Sequence, residues 1–169
     1  MASRSKARLF YGIALLVVVL DQVTKAVARS MLGDDEIVTI VPGFLRLRLT
    51  MNTGAAFGML PNWAPLFIVV ALVAIFAIVR LRGNQPQSSV LATGLGLLMG
   101  GAVGNLIDRL ASPSQAVTDF LEFFFLGRPQ WYIFNIADAA VVIGAVLLFF
   151  HVYIVERGRD NDAPAESRE

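Results

Sequence analysis

Residues 133–155 read IFNIADAAVVIGAVLLFFHVYIV, and this stretch decides the class of the molecule. A bilayer's hydrocarbon core needs about 20 predominantly apolar residues of helix, and this run supplies them. Asn135 and Asp138 stand near its start, where polar groups are costly. Three more stretches have the same character. Residues 9–28 are broken only by Asp21, Gln22, Thr24 and Lys25; residues 64–79 end at the basic stop Arg80 and Arg82; residues 90–107 are rich in glycine. Four spans follow.

The composition agrees. The chain of 169 residues is 56% hydrophobic and only 16% charged, with a mean hydropathy of +0.66, values ordinary for membrane proteins and rare in soluble cores. A net charge of +1 argues against nucleic acid as a partner, which needs a concentrated basic face. The absence of cysteine removes disulfides, thiol nucleophiles and thiolate metal sites. His151 is the sole histidine, so a Ser-His-Asp triad or a multi-histidine metal site has little to build on.

With both ends in the cytoplasm, the inner side collects Arg4, Lys6, Arg8, Arg80, Arg82, Arg157, Arg159 and Arg168. The outer side collects Lys25, Arg29, Arg46, Arg48, Arg109 and Arg128. This bias sets the expected orientation, with Trp63 and Trp131 as outer interfacial anchors. The N-terminal basic residues before an apolar run, with Ala26-Val27-Ala28 after it, also resemble a cleavable signal peptide. Asp21 and Lys25 fall between the apolar stretch and that cut, and three spans follow, so retention is expected. The tail, residues 156–169, is polar and expected to be disordered and cytoplasmic.

Between spans one and two, residues 45–52 alternate apolar and polar, the period of a half-buried strand. Residues 37–41 and the Pro42-Gly43 turn complete a hairpin, with the β segment extending over 37–60. Strict alternation puts Arg46, Arg48, Thr50 and Asn52 on one face. Residues 120–126 are strongly apolar yet too short to span, which predicts an element half-sunk in the outer interface. Gly96, Gly100 and Gly104 recur every four residues on span three, the spacing of close helix packing. The expected fold is an all-α membrane protein: a four-transmembrane-helix bundle in one domain, residues 1–155, with a small extracytoplasmic β-sheet and the interfacial element.

Charges inside a membrane cost about 2.5–3.5 kcal/mol each at the helix centre and need a reason. Asp21 and Lys25 stand at i and i+4, in the order that favours an ion pair, and read as a structural bridge that also anchors span one at the interface. Asp108 and Arg109 are adjacent on a helix and cannot face each other, so each requires a partner elsewhere. With Asn105 they either line a cavity that holds a substrate backbone or cap the bundle. Asp119 and Asp138 have no neighbouring cation in sequence. Two carboxylates meeting in a low-dielectric setting cannot both ionise easily, so such a pair holds a proton donor and an acceptor together. These residues alone leave catalysis, ion conduction and structure open.

Read together, the polar boxes resemble the lipoprotein signal peptidases (signal peptidase II), aspartic proteases of the bacterial inner membrane. The boxes are Asp21-Gln22-Val23-Thr24-Lys25, Asn52-Thr53-Gly54-Ala55-Ala56-Phe57, the run GGAVGNLIDR at residues 100–109, Val117-Thr118-Asp119-Phe120, and Phe134-Asn135-Ile136-Ala137-Asp138. The resemblance implies that Asp119 and Asp138 are the catalytic pair. It implies that Asn52, Gly54, Asn105, Arg109 and Asn135 surround them and position substrate, while Asp21, Lys25 and Asp108 support the site. It implies a diacylglyceryl-modified prolipoprotein as substrate, cut just before the lipidated cysteine, within membrane lipid, and inhibition by globomycin-like cyclic peptides. A monomer without metal or organic cofactor is expected. A transporter or proton channel is the main alternative, and it requires polar residues along the whole depth of the helices. A non-catalytic assembly subunit leaves Asp119 and Asp138 unexplained.

Overall fold

The computed structural model describes residues 2–33, 36–54, 63–84, 88–125, 128–129 and 133–162. Its elements follow the order α1 (Ala2–Met31), β1 (Ile37–Val41), β2 (Leu45–Asn52), α2 (Ala64–Asn84), α3 (Ser89–Ala111), β3 (Val117–Phe125), β4 (Arg128–Pro129) and α4 (Ile136–Asp162). Each of the four helices contains a stretch long and apolar enough to cross a membrane. Their outer faces carry large apolar side chains: Leu15, Phe76 and Phe149 are each about two-thirds exposed. Such a surface suits acyl chains and not water.

Helix α3 is the centre, packed against α1, α2 and α4. Glycine makes this possible. A Cβ on Gly96 would stand 2.9 Å from the Phe10 carbonyl oxygen, and one on Gly100 would stand 2.6 Å from the Val17 Cβ. On the opposite side, a Cβ on Gly101 would stand 2.5 Å from the Ala137 carbonyl oxygen of α4. Backbones this close gain van der Waals contact, the main attraction between helices in lipid. Toward one end of the bundle lies an apolar cluster of buried residues, Phe10, Ala14, Ile78, Ala92, Leu95 and Met99.

The helices overrun the expected spans, except at the start of α4. Helix α4 starts at Ile136 instead of residue 133, because Phe134 exchanges backbone hydrogen bonds with Leu121 at 2.8 and 2.9 Å. At its other end α4 continues to Asp162, so residues 156–162 are helical where a disordered tail was expected. Glu and Arg are good helix formers, which suits a helix continuing through this polar stretch. Residues 163–169 and Trp131 lie outside the described residues.

The hairpin β1–β2 forms as expected, its turn passing through Gly43 at φ 74°, where a side chain would be strained. Most of the apolar segment 120–126 is strand β3, antiparallel to β2 in a sheet ordered β1-β2-β3-β4. Its aromatic and β-branched residues suit a pleated surface. Packing of Ala28, Leu32 and Phe120, with Leu47, Leu49, Leu121 and Ile136 around them, seats the sheet on α1 and α4.

One expectation fails. Arg46 pairs with Glu122 and Thr50 with Asp119, an even step on β2 against an odd step on β3. The irregularity between Leu47 and Thr50 is an extra residue on β2, and a bulge of this kind reverses the alternation beyond it. Arg46 therefore lies on the opposite face from Thr50 and Asn52. Arg46 makes a bidentate bridge to the buried Glu122, at 2.6 and 3.1 Å, while Asn52 shares the Asp119 face.

Candidate active site

The polar residues of α1, α3, β2, β3 and α4 meet at the end of the bundle that carries the sheet. Helix geometry explains part of this. On α1, Asp21 and Lys25 are one turn apart, and on α3 so are Asn105 and Asp108, so each helix presents a polar patch on one face. Gly104 leaves room between them, since a Cβ there would stand 2.6 Å from Asp21 Oδ2.

Asp21 and Lys25 form the expected bridge, at 2.8 Å, but both side chains are completely buried. The bridge is an internal fastening and not an anchor at the interface. The physical reason is the glycine face of α3, which draws that side of α1 inward. Asp21 Oδ1 also accepts the backbone N–H of Ala137 at 3.0 Å, satisfying a free donor in the first turn of α4. Asp108 finds its partners in Lys25 at 3.3 Å, in Arg29 at 3.8 Å and in the backbone N–H of Thr118 at 2.9 Å. It thereby fixes the start of β3, one residue before Asp119.

Asp138 occupies the third position of α4, with Asn135 as the residue that caps the helix. Asp138 N–H donates to Asn135 Oδ1 at 2.9 Å, and Asn135 N–H donates back to Asp138 Oδ2 at 3.3 Å, a reciprocal capping box. The other carboxylate oxygen, Oδ1, accepts Asn105 Nδ2 at 2.7 Å. Asp119 accepts Asn52 Nδ2 at 2.9 Å on one oxygen and Asn135 Nδ2 at 2.6 Å on the other. Asn135, itself fully buried, thus bonds to both carboxyl groups.

Asp119 is 1% exposed. Burial, and after it the charge of Asp138, raise its carboxyl from 3.8 to about 7, against the opposing pull of the Asn52 and Asn135 hydrogen bonds and the Lys25 charge. Near neutral pH Asp119 therefore exchanges a proton readily. Asp119 and Asp138, far apart in sequence, form one electrostatically coupled site.

Asn52 is held by Gly54, whose N–H donates to Asn52 Oδ1 at 2.9 Å and so turns the amide nitrogen toward Asp119. Arg109 donates to the Gly54 carbonyl at 3.0 Å and lies over the Phe67 ring, 5.4 Å from its centroid. Its Nε is buried without a hydrogen-bond partner among the described residues. Ala55, Ala56 and Phe57 of the second box lie outside the described residues.

Three participants had no role assigned from sequence, although Gln22 and Thr118 stand in the polar boxes. Gln22 bonds to the Gly104 carbonyl at 3.1 Å and to Asp108 at 3.3 Å. Arg29 donates to Thr118 Oγ1 at 2.7 Å, and Thr118 is almost wholly buried. Arg29 follows Lys25 by one turn and Gln22 by two, and this spacing was the available signal.

Comparison with known proteins gives the same picture. The model of the family described as signal peptidase (SPase) II matches residues 13–154. A lipoprotein signal peptidase of Symbiobacterium thermophilum is 44% identical over 147 residues, covering 86% of this chain and 94% of that protein. One from Nitratidesulfovibrio vulgaris is 39% identical over 155 residues, covering 88% and 91%. A solved bacterial membrane enzyme superposes with a TM-score of 0.77 at 31% identity, covering 83% of this chain and 85% of the other. Sequence boxes, helical frame and family match converge: the chain belongs to the signal peptidase II family of membrane proteases.

Proposed function

We propose that this protein is an aspartic endopeptidase that removes the signal peptide from diacylglyceryl-modified prolipoproteins, cutting just before the lipidated cysteine. The observation that carries the reading is the joint attachment of Asp119 and Asp138 to Asn135, at one end of an otherwise apolar bundle. An ion path needs polar groups through the full depth. The apolar packing of Phe10, Leu95 and Met99 toward the other end offers none.

The chemistry follows from the coupled pair. The ionised carboxylate takes a proton from water as the water oxygen attacks the scissile carbonyl carbon. The protonated partner donates to the carbonyl oxygen, giving a neutral tetrahedral diol. Collapse breaks the carbon–nitrogen bond: the departing amine takes a proton from the pair while one diol hydroxyl gives its proton to the ionised carboxylate, so the pair ends with the one proton it began with. The proton inventory belongs to the two groups jointly, so neither is base or acid by itself. The amides of Asn52, Asn105 and Asn135 fix the carboxyl groups for this exchange, and Arg109 and Gly54 border the space where substrate backbone would lie.

In this reading both termini are cytoplasmic, and the site opens toward the extracytoplasmic face of the bacterial inner membrane. That placement suits a substrate whose signal helix and acyl chains are themselves in lipid. Globomycin-like peptides would occupy the same site, and a monomer suffices because one chain supplies both aspartates. The test is processing of a purified precursor with and without its diacylglyceryl group. Release of a product that begins at the lipidated cysteine, from the modified precursor alone, is the expected result. Equal cleavage of both precursors, or cleavage elsewhere, overturns the substrate assignment.

A further inference from the structure

Lys25 has a bond that a purely structural bridge would not need. Its ammonium, completely buried, meets Asp21 Oδ2 at 2.8 Å and Asp108 Oδ2 at 3.3 Å. The third partner is a neutral amide oxygen, Asn105 Oδ1, at 2.9 Å. An ammonium has three donors and no acceptor, so all three are used. Asn105 Oδ1 also accepts Asn135 Nδ2, at 3.1 Å, while Asn105 Nδ2 donates to Asp138 Oδ1 at 2.7 Å.

This network admits one orientation of the Asn105 amide. Reversed, its NH2 would face the Lys25 ammonium and the Asn135 NH2, donor against donor. Its oxygen would face the Asp138 carboxylate, acceptor against acceptor. A buried polar group left in such a conflict loses its hydrogen bond and its solvation together. Lys25 is the one charged donor on that oxygen among the described residues, and so it decides which end of the amide meets Asp138.

We infer that Lys25 is a positioning residue for hydrolysis: it locks the Asn105 amide so that Asn105 donates to Asp138, beside the Asn135 amide that donates to Asp119. The inference rests on the aspartic reading above and goes beyond the helix-bridging role of Lys25. The path has a direction, from Lys25 through Asn105 to Asp138. Loss of Lys25 therefore matters to turnover only while Asn105 is present.

A double-mutant cycle tests this. Lys25→Met keeps the bulk of the stem and removes the donors. Because it also strands Asp21 and Asp108, the same exchange is made in a second, charge-matched form, Asp21→Asn with Lys25→Met. Asp21→Asn retains a side-chain oxygen for the Ala137 N–H. Each form is combined with Asn105→Ala. Single-turnover cleavage and KM are measured with lipidated precursor and enzyme in excess, so that slow variants remain measurable. Removing Lys25 should lower the cleavage rate about tenfold to a hundredfold, the scale of a misplaced catalytic group, with KM within about twofold. In the Asn105→Ala background the further loss should be less than about twofold, because residues that act through one another are not additive. Equal fold-losses in both backgrounds, or a loss confined to KM, overturn the positioning role. Asp119→Asn in the same assay separates the two levels. If it cleaves at the parental rate, the aspartic reading fails; if it is inactive while the cycle is multiplicative, the role of Lys25 alone fails.

Discussion

Asn135 and Asp138 bond to each other twice, side chain to backbone in both directions, at 2.9 and 3.3 Å. One of the two carboxylates of the proposed catalytic pair is therefore also part of a helix cap. This solves a positional problem. A carboxylate on a long membrane helix would otherwise be buried in lipid or free to swing toward water. Placed in the first turn, it lies where the helix leaves N–H groups unsatisfied and where the helix dipole favours negative charge. The same cap residue reaches Asp119 through its side chain at 2.6 Å. The start of α4 thus sets both partners.

Asp21→Ala should damage the fold before it damages the chemistry. Among the described residues it leaves Lys25 with Asp108 as its sole carboxylate partner, and it orphans the Ala137 N–H. Removing one partner of a buried ion pair costs about 3–5 kcal/mol. The expected outcome is a lower yield and melting temperature in detergent, with specific activity of the folded fraction reduced by less than about tenfold. Collapse of turnover in a protein that melts like the parent would contradict this role.

Gly101→Ala should lower both stability and activity. Its Cβ would stand 2.5 Å from the Ala137 carbonyl oxygen, which is backbone and cannot rotate away. Overpacking of this kind costs about 1–3 kcal/mol, and the displaced turn of α4 carries Asp138. Melting temperature and cleavage rate should fall together, whereas Gly12→Ala, with nothing within 4 Å of its added Cβ, should alter neither.

The pH dependence follows from Asp119, raised from 3.8 to about 7. Between about pH 4 and pH 7 the unfolded chain has lost this proton while the folded protein still holds it. The contribution to stability is therefore full below about pH 4 and is lost as the pH rises through about 7. Asp119→Asn removes the titration, so its melting temperature relative to the parent should climb across that window and level off above it. A constant difference contradicts the shift. Cleavage by the parent should follow a bell-shaped profile, as expected for a coupled pair that works with one proton.

How much of this was legible in the sequence differs from element to element. The spans were, because residues 133–155 and their three counterparts are near-continuous apolar runs of about the length that crosses a bilayer. The hairpin was, through the alternation at residues 45–52. The bulge on β2 was not, since it exists only relative to β3: the sequence alternates without interruption while the pairing does not. Strand β3 was read as an interfacial element because an unbroken apolar run gives no period to read. Asp119 and Asp138 stood out because neither has a neighbouring cation in sequence, but the residues alone left their role open and only the resemblance proposed them as a catalytic pair. The depth of Asp21 and Lys25 was misjudged, because their burial depends on the glycine face of α3 and not on their own neighbours in sequence.

The most direct test replaces each carboxyl group by its amide. Asp119→Asn and Asp138→Asn should each insert, fold and melt as intact proteins, and each should lose cleavage of a lipidated precursor by about 10²–10⁴-fold or more, the usual contribution of an acid–base group. If either purified variant, or the double variant, processes the precursor at the rate of the parent, the two aspartates are not the reacting pair and the mechanism falls with them.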